Sequence, residues 1–231
     1  MLLGLEVALL VAASCKGTLY LTIDTGSMSQ ADRIAQILNK HQVKATFFLA
    51  NEKTINGDFT LDDAWAPYWK ARVKEGHKFG SHTWRHGYYR ADLPNQKVRY
   101  VVKGKPEIQD KSAVCAELDH VNTRFEQMTG RKLDPIWRAP GGHTTPNVLK
   151  LAQACGYKHI SWPDAGFLGD ELPSNKFPNT LLLDRALKNL KDGDILLMHT
   201  GIWSRKDPFA PMLDPLLEGL KAKGFCFATI P

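Results

Sequence analysis

Seven short apolar runs punctuate the chain: TLYLTI (18–23), ATFFLA (45–50), HKFGS (77–81), PIWR (135–138), HISW (159–162), ILLMH (195–199) and FCFATI (225–230). Their length and their β-branched and aromatic content predict strands. Helical spacing fills the intervals. Residues 29–40 place Ala31, Ile34, Ile37 and Leu38 on one face, and residues 113–129 repeat Val114, Leu118, Val121, Phe125 and Met128 at steps of four and three. Residues 180–191 align Leu183, Leu187 and Leu190, and PMLDPLLEGLKAKG (211–224) ends in Gly224, a suitable helix C-cap. This β–α alternation, without an internal repeat, predicts an α/β domain built on a parallel sheet or barrel. The stretch 87–111 is polar, weakly patterned and holds Pro94 and Pro106, so it reads as an excursion from the core.

Polar and titratable residues recur where these strands end. The first run closes on Asp24, the third on GSHTWRH, the fourth on WRAPGG, the fifth on WPD and the sixth on LLMHTG. In parallel α/β folds the strand-to-helix loops converge at that edge, and functional groups collect there.

A length of 231 residues fits one domain with a sizeable core, 17–231, after an N-terminal segment 1–16. No stretch approaches the roughly 20 apolar residues of a membrane span. The apolar run Val7 to Ser14 ends in small residues like a secretory signal remnant, but Glu6 and the lack of a preceding Lys or Arg fit a packed first element equally well. A net charge of +6 favours an anionic partner. The basic residues are scattered, which argues against nucleic acid. Cys15, Cys115, Cys155 and Cys226 have no zinc-type spacing. Buried thiols are the expectation in a chain this long, with disulfides as the alternative in an oxidising compartment. The expected location is the periplasm or the exterior, with the cytoplasm as the alternative.

His82 and His86, four apart, bring two imidazoles to one ion if the segment turns helically; a solvated or core pair is the structural alternative. Asp24 is a candidate general base, with Arg138 as the partner that keeps it ionised. His199 is then a candidate general acid. A water activated by a metal, a carboxylate base and an imidazole acid together describe hydrolysis of an amide or ester. Each residue also has a structural reading: Asp24 as a cap, Arg138 in a salt bridge, His199 packed at a strand end.

Taken in order, TIDTG, HTWRH, RAPGG, WPDAGF and LLMHTG resemble the successive motifs of the polysaccharide deacetylase family, the NodB-homology domain of carbohydrate esterase family four. KATFFLA, EGHKFGSHT and KAKGFCFATI extend the similarity to about residues 17–230. The resemblance implies a single-domain distorted (β/α) barrel of about seven parallel strands. It implies Asp24 as base, His82 and His86 as ligands of a divalent metal, Arg138 as the residue steadying the base, and His199 as acid. Zinc is the expected metal, with cobalt or nickel as alternatives. The implied reaction removes N-acetyl groups from a carbohydrate polymer or oligosaccharide, peptidoglycan or chitin-like. Pro140, Gly142, Trp84 and Trp162 are the candidate substrate contacts, with Tyr88, Phe167 and His143 nearby.

Two departures qualify the resemblance. Thr25 stands at the usual third-ligand position, where the family carries a second Asp, so metal binding weaker than the family's is expected. Family branches resembling muramyl deacetylases also carry a neutral residue there. The segment that orients the acid is degenerate as PDAGFLGD, which makes Asp164 the expected partner of His199 and Asp170 the alternative. Hydrolysis of another non-peptide C–N bond, or inactive carbohydrate binding, are the competing functions.

Overall fold

The computed structural model describes residues 15–231. The reading of Val7 to Ser14 as a signal remnant or packed element lies outside them. All seven expected strands form. They are β1 (Gly17–Asp24), β2 (Thr46–Leu49), β3 (Lys78–Ser81), β7 (Ile136–Trp137), β8 (Lys158–His159), β9 (Ile195–His199) and β10 (Phe225–Ala228). Every pairing among them is parallel, in the order β10-β1-β2-β3-β7-β8, with β9 along the other edge of β1. The sheet curls into a distorted barrel. On its open side a single bridge, Phe167 to Leu197, brings the segment after β8 alongside β9.

Strand alternation divides the two faces. Leu19, Leu21, Ile23, Phe47, Leu49, Phe79, Leu196 and Met198 point outward into the main core. They pack there with the apolar faces of α1 (Ala31–Lys40), α3 (Lys111–Thr129) and α6 (Leu213–Ala222). The opposite face encloses a smaller cluster, Phe48, Ile136, Ile160 and Ile230. Gly80 is required there, because a Cβ would stand 2.7 Å from the Phe48 ring. Ile230 closes the barrel floor, its N–H donating to Thr46 Oγ1 and its carbonyl accepting from Lys78 Nζ.

Helices α2 (Ala66–Lys74), α4 (Pro146–Ala154) and α5 (Asn179–Asn189) complete the shell. Thr145 caps α4, accepting from the Val148 N–H, and Pro146 occupies its first turn.

The polar stretch 87–111 is not loose. It forms a three-stranded antiparallel sheet of β4 (Tyr88–Leu93), β5 (Lys97–Val102) and β6 (Lys105–Gln109). Lys103 and Gly104, both at positive φ, make the two-residue turn between β5 and β6. Val98 and Tyr100 bury one face against Val114 and Leu118 of α3, which leaves charged residues such as Lys97 and Arg99 outside.

The cysteines are paired, contrary to the expectation of buried thiols. Cys15–Cys226 joins the entry of β1 to β10, and Cys115–Cys155 joins α3 to the end of α4. Parallel pairing places Cys226 opposite Thr18, within reach of Cys15 just ahead of β1, and α3 packs against α4. Sequence spacing contains neither proximity. Closing a loop with the 40-residue separation of Cys115–Cys155 is worth about 2–4 kcal/mol. Replacing both cysteines by Ser is therefore expected to lower the unfolding free energy by about that amount in urea titrations. Thiol titration of the unreduced, denatured wild type is expected to find no free thiol.

Candidate active site

The strand ends converge as parallel register requires. Asp24 is the register partner of Phe48 on one side and His199 on the other, and Ser81 faces Trp137. Arg138, the residue after β7, turns its side chain into the barrel. It is fully buried, and its Nη1 donates to Asp24 Oδ1 at 2.9 Å and to Thr22 Oγ1 at 2.8 Å. Its Nε donates to the Ile160 carbonyl at 3.2 Å. The Phe48 and Trp162 rings lie 4.3 and 5.1 Å from the guanidinium. Burial pushes the Asp24 carboxyl upward, but Arg138 and the neighbouring histidines outweigh it and hold the group below its ordinary value. Asp24 is an ionised carboxylate with one oxygen committed to Arg138.

His82 is buried, and burial drops its pKa to about 3, so the ring is neutral. Its Nδ1 lies 2.9 Å from the Arg138 carbonyl, which can only accept. The proton therefore sits on Nδ1, and Nε2 presents a bare lone pair. That lone pair faces Asp24 Oδ2 at 3.5 Å, two acceptors with no proton to share. Oriented imidazoles of this kind are typical metal ligands.

His86 arrives by a turn, not the helical turn the four-residue spacing suggested. Thr83 and His86 both have positive φ, and the two imidazole centroids lie 4.9 Å apart. The β4–β6 sheet holds this turn in place. Tyr100 Oη accepts from the Gly87 N–H at 2.9 Å and reaches Thr83 Oγ1 and Glu117 Oε2 at 3.3 and 3.2 Å. A Cβ at Gly87 would meet the Tyr100 ring at 2.3 Å. Arg85 clamps the turn from outside through Glu107 and Glu117.

Thr25 does not point a free hydroxyl at this space. The Ala50 N–H donates to its Oγ1 at 3.0 Å, and that hydroxyl donates to Glu52 Oε2 at 2.7 Å. The other oxygen of Glu52 lies 3.7 Å from His86 Nδ1. Glu52 follows β2 at the same edge, and sequence motifs did not single it out. Among the described residues, no group of three or more His, Cys, Asp or Glu side chains stands close enough together to hold a metal ion without side-chain movement. The donor set nevertheless suits a divalent ion. Donors around a tetrahedral ion with bonds of about 2.0–2.2 Å stand roughly 3.3–3.6 Å apart, close to the 3.7 Å between His86 Nδ1 and Glu52 Oε1.

His199 is oriented by Asp170, not by the expected Asp164. Asp170 Oδ1 is 3.0 Å from His199 Nδ1, and Oδ2 accepts the His199 N–H at 2.7 Å. Asp164 starts an exposed turn five residues after β8; the Phe167–Leu197 bridge carries the chain past it, so that Asp170 reaches the end of β9. Burial lowers the His199 pKa, but Asp170, with Asp24 and Glu171, raises it to about 9.

Of the expected substrate contacts, Pro140 is buried and opens a tight turn in which Gly141 and Gly142 have positive φ. Trp162 covers Gly142 and Arg138, forming one wall of the site. Trp84 is a correction: its ring stacks on His120 of α3 at 3.7 Å and packs against the core, because the turn at 83–86 directs it away from the sheet edge. Tyr88 stands edge-on to His86, and Arg90 Nη1 donates to His143 Nε2 at 3.1 Å beside it.

A family model described as polysaccharide deacetylase matches residues 12–160. The chain belongs to the polysaccharide deacetylase family. The peptidoglycan-N-acetylmuramic acid deacetylase PdaA of Bacillus subtilis is 30% identical over 214 residues, covering 92% of this chain and 70% of that protein. A peptidoglycan-N-acetylglucosamine deacetylase of Bacillus cereus is 25% identical, covering 91% and 84%. Among solved structures, a CE4-family pseudoenzyme of Bacillus anthracis has a TM-score of 0.70 at 23% identity. That match covers 93% of this chain but only 64% of the pseudoenzyme chain, and it shows that the two share the family's barrel fold.

The His199–Asp170 pair yields a pH-dependent stability. The imidazole pKa rises from 6.5 to about 9, so the contribution of the pair is complete below the lower value and is lost as pH rises through the upper one. Asp170→Asn is expected to cost about 2–3 kcal/mol more at about pH 6 than at about pH 10 in denaturant titrations. An imidazole NMR titration is expected to show the His199 pKa falling in the variant.

Proposed function

We propose that this chain is a metal-assisted hydrolase that removes acetyl groups from an N-acetylated glycan of the peptidoglycan or chitin-like class. The observation that carries this reading is that two register neighbours have opposite partners, Asp24 the Arg138 guanidinium and His199 the Asp170 carboxylate. Asp24 is held ionised by a buried arginine, and His199 is held protonated by Asp170. A base and an acid set apart by their surroundings are what amide hydrolysis requires.

His82 and His86 would hold the ion, zinc in this proposal with cobalt or nickel as substitutes. When bound, it supplies Lewis-acid polarisation of the acetamide carbonyl and of water. The protein residues move the protons. Asp24 Oδ2, the oxygen not bound to Arg138, takes a proton from the attacking water as its oxygen bonds to the carbonyl carbon. His199 gives its Nε2 proton to the nitrogen as the C–N bond breaks, so acetate and a free amino sugar leave. Nδ1 stays fixed by Asp170 throughout. Trp162 and the Pro140–Gly142 turn border the same space and fit the apolar face of a sugar ring.

The two disulfides support a location in the periplasm or outside the cell. A second reading, inactive glycan binding, draws on Thr25 and on the fold shared with a pseudoenzyme.

The test is acetate release from peptidoglycan fragments and chitin oligosaccharides with added Zn²⁺, Co²⁺ or Ni²⁺. Turnover is expected to fall as pH rises through about 9, because His199 then loses the proton it must donate. Asp24→Asn is expected to reduce kcat by about 100-fold or more while metal binding persists, with folding checked by thermal melting. Glycan binding without acetate release under any metal would favour the second reading.

A further inference from the structure

The substitution at position 25 removes a carboxylate from β1, but it does not leave the site short of one. Glu52, just past β2, occupies the space next to it. One hydrogen bond orients its side chain. The Ala50 N–H fills an acceptor position on Thr25 Oγ1, so the hydroxyl proton is turned toward Glu52 Oε2, 2.7 Å away. That bond leaves Oε1 as the free oxygen, and it faces the ring of His86 at 3.7 Å. The backbone of Glu52 is pinned as well, since its carbonyl accepts from both the N–H and the Oγ1 of Thr60.

We infer that Glu52 is the third protein ligand of the metal held by His82 and His86, and that Thr25 is the residue that orients it. The inference rests on the metal-assisted reading above and gives that site its own ligand set. The 3.7 Å separation of Glu52 Oε1 and His86 Nδ1 is too long for a hydrogen bond. It is close to the separation of two donors sharing one tetrahedral ion. The His82 ring stands beside that of His86, centroids 4.9 Å apart, and its Nε2 carries the lone pair that would complete the set. Glu52 and His86 are the partly exposed members, with side chains 20% and 28% accessible, so they can close on an ion by rotation while the buried His82 stays fixed. The Thr25 hydroxyl plays the outer role, holding one carboxylate oxygen so that the other is presented.

The test is Co²⁺ and Zn²⁺ affinity of the full chain by competition with a chromophoric chelator, which needs no turnover. Glu52→Gln is expected to weaken binding roughly 100-fold, and Thr25→Val about tenfold, the range typical of outer partners. In the double variant Thr25→Asp/Glu52→Gln, a carboxylate returned to β1 is expected to restore most of the affinity. Weakening in Glu52→Gln that Thr25→Asp does not restore overturns the ligand assignment and leaves Glu52 as a positioning partner of His86. Unchanged affinity in Glu52→Gln, with binding lost in His82→Ala, overturns the inference while the metal-assisted reading stands. Unchanged affinity in His82→Ala and His86→Ala as well defeats both. Thermal melting of each variant establishes that the fold is intact.

Discussion

Arg138 and Asp24 meet inside the barrel with neither charge in contact with solvent, and an ion pair in such a place is costly unless its other contacts cooperate. Here most of them do. Thr22 and the Ile160 carbonyl take further guanidinium protons and two aromatic faces lie against the group, while Nη2 has no hydrogen-bond partner among the described residues. The backbone carbonyl of the same arginine sets the tautomer of His82. One residue therefore controls both the charge of the base and the lone pair beside it. Removing either partner of such a pair typically costs about 3–5 kcal/mol, so site and fold are coupled at this point.

Much of this arrangement can be read from the sequence because it depends on strand ends. Short apolar runs locate all seven parallel strands, and parallel pairing then gathers Asp24, His82, Arg138 and His199 at one edge whatever the details of the loops. Local pattern fails where tertiary contact decides. The sheet of Tyr88–Leu93, Lys97–Val102 and Lys105–Gln109 buries only one sparse face, chiefly Tyr89, Val98 and Tyr100, so its sequence looks like a polar loop. Trp84 has the composition of a sugar contact but is turned away by backbone at positive φ on either side. The choice between Asp164 and Asp170 depends on a bridge between Phe167 and Leu197 that no spacing rule contains. Glu52 is the instructive omission. The strand-end rule, applied to ATFFLA, reaches Asn51 and Glu52, but an acid outside any familiar motif carries no signal until Thr25 is seen to hold it.

The antiparallel sheet also changes how the site is understood to be built. In a plain barrel, the loop bearing His82 and His86 would hang from one strand end. Here Tyr100 and Glu117 grip it from β5 and α3, and Glu107 from β6 holds Arg85 across the outside. Rigidity of the histidine pair is thus supplied by elements that contribute no chemistry of their own.

The bond between Cys15 and Cys226 lies at the opposite end of the barrel from all of this, near the floor that Ile230 closes. Its consequence is mechanical. Tension arriving along the chain at Cys15 passes through sulfur into β10, bypassing the hydrogen bonds of β1. The strand that carries Asp24 is shielded from being peeled out of the barrel by its own leading end.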